Sequence, residues 1–318
     1  IGRTVGVLYA TNTFGAMLGV VTAGYWLLPA IGNRATIGLA VAANLAVGGL
    51  AVAYSRRLRR AEPAPIDPVA PAGTELLAPP PARRDLGVRL TVLALGISGS
   101  VSMIYEVAWT RALALVIGSS TYAFTAMLVA FLLGIAGGAA VYALLWGGRR
   151  ASPALFAALQ VGIGLTAALV LLVFERLHAL FLLSLKRWGT GGFVELVQFV
   201  VSAHALLPCA LLLGATFPCA VAVWARAPGR AGLEVGRLYA VNMAGAIVGA
   251  ILAGFVLVPA LGVHASLKVA IAVNLALAVT LALVPPRPVT VWRFGLSGVA
   301  LVAAAGLLFI PRWDQGIM

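Results

Sequence analysis

Residues 96–138, GISGSVSMIYEVAWTRALALVIGSSTYAFTAMLVAFLLGIAGG, hold two ionisable groups, Glu106 and Arg111, flanked by Tyr105 and Trp109. The stretch is apolar enough to cross a bilayer almost twice. An unpaired charge at that depth costs roughly 3 kcal/mol or more, so such groups mark a substrate site, a proton site or an ion pair between helices. Glu106 and Arg111 stand five residues apart, which separates them by about 140° on a straight helix, so they do not face one another. Either the helix breaks near them or each has a partner elsewhere. Glu195 is the acidic candidate for Arg111.

Other polar groups in apolar sequence have simpler readings. Asn12 and Asn242 each stand three residues before a Gly-x-x-x-Gly, Gly15/Gly19 and Gly245/Gly249, followed by Ala23 and Ala253. Such stripes let helix backbones approach closely. Each asparagine is expected to hydrogen-bond across a helix interface, since an unsatisfied amide in lipid is costly, with a substrate contact as the alternative. His204 reads as a hydrogen-bonded core histidine rather than a ligand, and Lys268 as a side chain snorkelling from near a helix end. Cys209 and Cys219, ten residues apart, lie on different helix faces and read as small core residues, not as a disulfide or metal pair. No nucleotide loop, nucleophile elbow, paired acidic motif or Cys/His metal spacing occurs. No catalytic residue, metal site or cofactor is therefore assigned within these residues.

These groups sit in a chain of 318 residues that is 62% hydrophobic and only 10% charged, where a soluble domain is about a quarter charged. The lipid bilayer is the implied partner. The net charge of +13 could suggest nucleic acid, but the basic residues occupy short segments between apolar runs rather than one aromatic-laced face, which argues against it. Nine spans are expected, at about 7–29, 35–54, 90–117, 122–146, 153–174, 193–223, 238–259, 266–284 and 291–310. Between the second and third lies a Pro/Ala-rich linker, EPAPIDPVAPAGTELLAPPPARRD, bounded by Arg56, Arg57, Arg59 and Arg60 before it and closed by Arg83, Arg84 and Arg89. Prolines at that density favour extended chain, and the arginines place the linker in the cytoplasm. Arg149 and Arg150, then Arg226, Arg230 and Arg237, then Arg287 and Arg293 mark further cytoplasmic segments. Residues 174–192, FERLHALFLLSLKRWGTGG, are amphipathic and read as an interfacial segment or short extra helix. Pro208 and Pro218 predict a kink in the sixth span.

The chain repeats itself. GVLYATNTFGAMLGVVTAGYWLLPAIG (6–32) aligns without gaps on GRLYAVNMAGAIVGAILAGFVLVPALG (236–262). The copies share Tyr9/Tyr239, Asn12/Asn242, Gly15/Gly245, Gly19/Gly249, Pro29/Pro259 and Gly32/Gly262, and the match continues through Asn44-Leu45-Ala46 on Asn274-Leu275-Ala276. Each copy reads as a helical hairpin turned at Pro-x-x-Gly. Such repeats imply duplicated bundles. The expected fold is an all-α, polytopic integral membrane bundle of about nine spans in the layout of major-facilitator-type transporters. Residues 1–54 would be the last two spans of a truncated first bundle, 55–87 the cytoplasmic linker and 88–284 a second six-helix bundle. Residues 285–318 would form a final span and the junction to a missing C-terminal domain. A start at Ile1 and an abrupt end at Met318 read as a fragment of a longer protein.

IYEVAWTR (104–111), GSSTYAF (118–124), FLLGIAGG (131–138), LLLGATFP (211–218) and GRLYAVNMAGAIVGA (236–250) resemble the membrane region of bacterial fused spermidine-synthase-like proteins. In those, a major-facilitator-like region precedes a soluble aminopropyltransferase-type domain. The resemblance covers 96–284, with 2–52 as the earlier repeat, and PRWDQGIM (311–318) resembles the family's junction before the synthase domain. It implies a multi-pass protein of the bacterial inner membrane whose parent is a polyamine aminopropyltransferase using decarboxylated S-adenosylmethionine as co-substrate. The membrane region would anchor that domain, its partner, and move its substrate or product, a polyamine or related small molecule. The synthase glycines and aspartates are absent from this sequence, so no active-site residue carries over. The alternative is a self-sufficient secondary transporter of a small polar or cationic solute, and a third reading is a purely structural anchor. Nine spans with a cytoplasmic linker leave Met318 outside, whereas a polyamine synthase draws on a cytosolic donor. Either the ninth span does not cross, or the attached domain works outside with other chemistry.

Overall fold

A computed structural model describes residues 2–61, 86–148, 151–188, 193–224, 231–283, 291–311 and 313. The Pro/Ala-rich linker, most of the junction after Pro311, and the arginines at 149, 150, 226, 230 and 287 lie outside them. Among the described residues every regular element is helical. The α-helices are α1 (Gly2–Thr22), α2 (Leu28–Ala61), α3 (Leu86–Ile117), α4 (Thr121–Leu145), α5 (Pro153–Trp188), α6 (Val194–Trp224), α7 (Ala231–Ile251), α8 (Val258–Leu283) and α9 (Val291–Gly306).

Seven continuous helical stretches are long and apolar enough to cross a membrane, as in a multi-pass membrane protein. Two of them, Gly2–Arg57 and Ala231–Leu283, run 56 and 53 residues, far beyond the roughly 20 that span a bilayer. Each contains one glycine with non-helical torsions, Gly32 (φ 73°, ψ 174°) and Gly262 (φ 80°, ψ 168°). That region of backbone space is open essentially to glycine alone. These are the glycines of the two Pro-x-x-Gly signals, so the predicted break stands in both copies. Just upstream, each copy widens into a π-helical turn, Ala23–Leu27 and Leu252–Leu257, where the N–H groups of Leu28 and Val258 reach back to the carbonyls of Ala23 and Ala253. Pro29 and Pro259 explain the widening. Each lacks an N–H, and its ring crowds the carbonyl four residues earlier.

The chain divides into two compact units, residues 22–84 and residues 1–21 with 85–318. In the smaller unit, α2 is exposed from Ile37 to Arg57. In the larger, α3 is the central helix, and its buried face runs through Leu95, Val101, Tyr105, Ala108, Trp109, Ala112 and Leu113. It lies parallel to α5, with Ser98 beside Gln160 and Trp109 beside Phe174, and parallel to α7, with Gly245 over Gly96 and Gly249 over Ser100. Helix α8 is antiparallel to α5: Asn274 meets Gln160, whereas His264 reaches the Trp313 ring that stacks on Phe174. The chain therefore reverses at Gly262, near the start of α8.

Glycine sets the closest crossings. A Cβ at Gly245 would lie 1.8 Å from the Gly96 carbonyl oxygen and one at Gly249 2.1 Å from that of Ser100. Between α4 and α6, a Cβ at Gly138 would lie 1.8 Å from the Leu211 oxygen and one at Gly214 2.1 Å from the Ile135 oxygen. No side chain larger than hydrogen fits there.

Two expectations change. Helix α3 is unbroken from Leu86 to Ile117, so no local break brings Glu106 and Arg111 together. Residues 174–188 are not a separate interfacial segment but the last turns of α5, because Phe174, Leu177 and Phe181 continue its buried stripe at helical spacing. Helix α6 contains both Pro208 and Pro218 within its length.

Candidate functional site

Glu106 is half-buried on α3. It lines a cavity of about 10 Å³, room for about one water, with Thr110, Phe124, Met127, Leu128, Phe131 and Leu206. Thr110 Oγ1 donates to the Glu106 backbone carbonyl, which leaves the carboxylate with an otherwise apolar and aromatic lining. A carboxylate so placed can hold a proton or a small cation. Arg111 is exposed. Glu195 is half-buried in the first turn of α6, where a carboxylate suits the positive end of the helix dipole. No ion pair joins Glu106, Arg111 and Glu195 among the described residues, so the expected Arg111–Glu195 pair is not formed.

Tyr105 and Trp109 are one helical turn apart, each 1% exposed, and the Tyr105 hydroxyl and Trp109 indole nitrogen have no hydrogen-bond partner. Trp109 belongs to an aromatic group at one end of the bundle. Its ring centroid lies 5.6 Å from Phe174 and 6.4 Å from Trp313. Trp313 stacks on Phe174 at 4.3 Å, meets His264 edge-on at 5.0 Å, and donates its indole N–H to the Leu171 carbonyl at 3.1 Å. Lys268 does not simply snorkel: its Nζ donates to the Ile310 carbonyl at 2.7 Å. The chain leaving α9 is thus tied to α5 and α8.

Gln160, among the most buried polar groups described, is one the sequence reading passed over. Gln160 Nε2 donates to Ser98 Oγ at 3.0 Å, and Asn274 Nδ2 donates to Gln160 Oε1 at 2.9 Å. The three are 0%, 2% and 0% exposed, so this short chain joins α5, α3 and α8 through the interior. The Asn274 Oδ1 has no partner. A lone amide in the fifth apolar run was the available signal, since a buried amide demands a partner. Gln198 is a second such amide: its Nε2 donates to the Ile117 carbonyl at 3.0 Å, satisfying an orphan acceptor at the end of α3.

The two repeat asparagines part company. Asn242 is half-buried and lies against Gly99, whose Cβ would meet its Oδ1 at 2.8 Å. Asn12 is exposed and makes no cross-helix hydrogen bond among the described residues. Gly15 and Gly19 have nothing within 4 Å of a built Cβ, so the expected packing is made by Gly245 and Gly249 only. His204 is exposed rather than in the core, with Nδ1 2.8 Å from its own helix's Val200 carbonyl. Cys209 and Cys219 are free and buried, and no group of residues that could hold a metal ion occurs among the described residues.

Compared with family models, curated proteins and solved structures, the chain finds no match.

Proposed function

We propose that this chain is the membrane anchor of a spermidine-synthase-like protein of the bacterial inner membrane, a nine-span bundle of major-facilitator-like layout holding a C-terminal aminopropyltransferase-type domain. Counting the two long helices as two spans each, on either side of Gly32 and Gly262, gives the nine. The observation that carries the reading is the docked exit after α9. Trp313 is 9% exposed, stacked on Phe174 and hydrogen-bonded to Leu171, while Lys268 holds Ile310. An exit packed and hydrogen-bonded in this way would give an attached domain a defined orientation. At the other end of α9, Arg293 reaches the Leu281 carbonyl.

A second reading, a major-facilitator-type transporter of a small cationic solute, draws on Glu106 in its aromatic-lined cavity. The full-length gene product separates the two. Aminopropyl transfer from decarboxylated S-adenosylmethionine to putrescine is measured in membrane vesicles of both orientations, with a sidedness reporter fused after the synthase domain. Transfer confined to one face of the vesicle, reduced several-fold in Trp313→Ala and unchanged in Glu106→Gln, supports the anchor. Absence of transfer in either orientation, with saturable solute uptake lost in Glu106→Gln, sinks it in favour of transport.

A further inference from the structure

A groove of about 250 Å³ lies where α4, α5 and α6 meet, and every residue lining it belongs to the larger unit. Gly138, Tyr142 and Ala215 line its depth and are buried, and Leu159 comes from α5. Val141 and Trp146, 45% and 37% exposed, stand at its opening. No charged side chain lines it. Its two ends differ. Toward Gly138 the lining is apolar, in the middle of α4. At the other end α4 closes at Trp146, and Leu155 contributes from the first turn of α5, the positive end of that helix's dipole. Arg3, exposed, packs beside the same end: its Cβ is 2.7 Å from where a Cβ on Gly147 would stand. The sequence between Leu145 and Pro153 contains no aspartate or glutamate.

We infer that this groove holds one acyl chain of an anionic phospholipid, with the headgroup phosphate at the Trp146 end beside Arg3. Length supports a lipid chain. From Gly138 to Trp146 the groove follows about 12 Å of α4, close to the roughly 15 Å depth of one leaflet's hydrocarbon. Volume excludes a partner helix, because a cylinder about 10 Å across would need several times 250 Å³ over that length. Charge selects the headgroup. Tryptophan favours the headgroup level of a bilayer, and an arginine beside a helix N-terminus attracts a phosphate that no neighbouring carboxylate in the α4–α5 connection repels. A free phosphate would leave the apolar groove unexplained.

Native mass spectrometry of the 318-residue chain, released from non-ionic detergent and titrated with palmitoyl-oleoyl phosphatidylglycerol or phosphatidylcholine, tests this. One phosphatidylglycerol retained per chain is expected, several-fold more tightly than phosphatidylcholine. Val141→Trp puts an indole into the opening and should release the lipid. Leu144→Trp, on an exposed neighbour that does not line the groove, should keep it. Arg3→Gln should leave the two lipids bound equally, which a merely apolar crevice would not require. Melting temperatures of all three variants in detergent, expected to match the parent, separate loss of lipid from loss of fold. Retention of no lipid, or of both lipids equally by the parent, overturns the inference. Retention indifferent to Val141→Trp places the lipid elsewhere, and a dimer abolished by Val141→Trp makes the groove a contact between copies; either also overturns it.

Discussion

Two segments of one sequence pattern have come to different ends in this molecule. Residues 6–32 and 236–262 share a tyrosine, an asparagine, a glycine stripe and a Pro-x-x-Gly turn, and both form a helix, a π-helical turn and a glycine break at matching places. The second copy is nevertheless packed into the bundle through Gly245 and Gly249, whereas the first presents Gly15 and Gly19 to the surroundings. Past the break the contrast persists: Asn274 is fully buried and hydrogen-bonded to Gln160, and its counterpart Asn44 is exposed. A local motif thus specifies a helix with a close-packing face. It does not supply the neighbour.

The comparison breaks most sharply at the glycines. Gly245→Leu drives a side chain into the Gly96 backbone, and a loss above about 3 kcal/mol is expected, read as aggregation on size exclusion in detergent. Gly15→Leu changes stability by less than about 0.5 kcal/mol. Equal losses would mean that the first stripe is also covered within this chain. Next come the asparagines: Asn274→Leu leaves Gln160 Oε1 without its donor and should cost about 1–3 kcal/mol in thermal melts, while Asn44→Leu is close to neutral. Gly32→Ala and Gly262→Ala sharpen the likeness instead, since the backbone strain of about 1–3 kcal/mol is local and should be the same in both. The smallest effect joins the copies. Phe217 lies 5.1 Å from Tyr9 and 5.9 Å from Tyr239, centroid to centroid, so Tyr9→Leu and Tyr239→Leu should each cost about 0.5–1.5 kcal/mol. Unequal melting shifts would show that one tyrosine contributes nothing beyond area.

Much of the helical layout was legible because its causes are local. Apolar length specifies the long helices, and the Pro-x-x-Gly breaks follow from proline's missing donor and glycine's freedom at positive φ, both of which act within a few residues. The candidate site was less legible. Glu106 was found because a carboxylate stands out in apolar sequence, and the structure sets it in a small aromatic-lined cavity. The Arg111–Glu195 pair was a guess about distance in space, and Arg111 turned out to be exposed. Gln160 was overlooked because an amide carries no charge and no motif, and its importance appears only when Ser98 and Asn274 converge on it from other helices. The extension of α5 to Trp188 was misread because the charges of Glu175 and Arg176 suggested an interface, while Leu177 and Phe181 had a buried face to continue.

By itself the sequence determined that the chain is a set of apolar helices, where two of them break, and which residues repeat, since helix formation, proline and glycine stereochemistry and hydrophobicity are properties of neighbours along the chain. Only the tertiary structure decided which glycine stripe is filled, which amide is buried and where Trp313 docks. Those outcomes depend on which surfaces meet at separations of a hundred residues or more, and a backbone approach or hydrogen bond at that range leaves no mark in local composition.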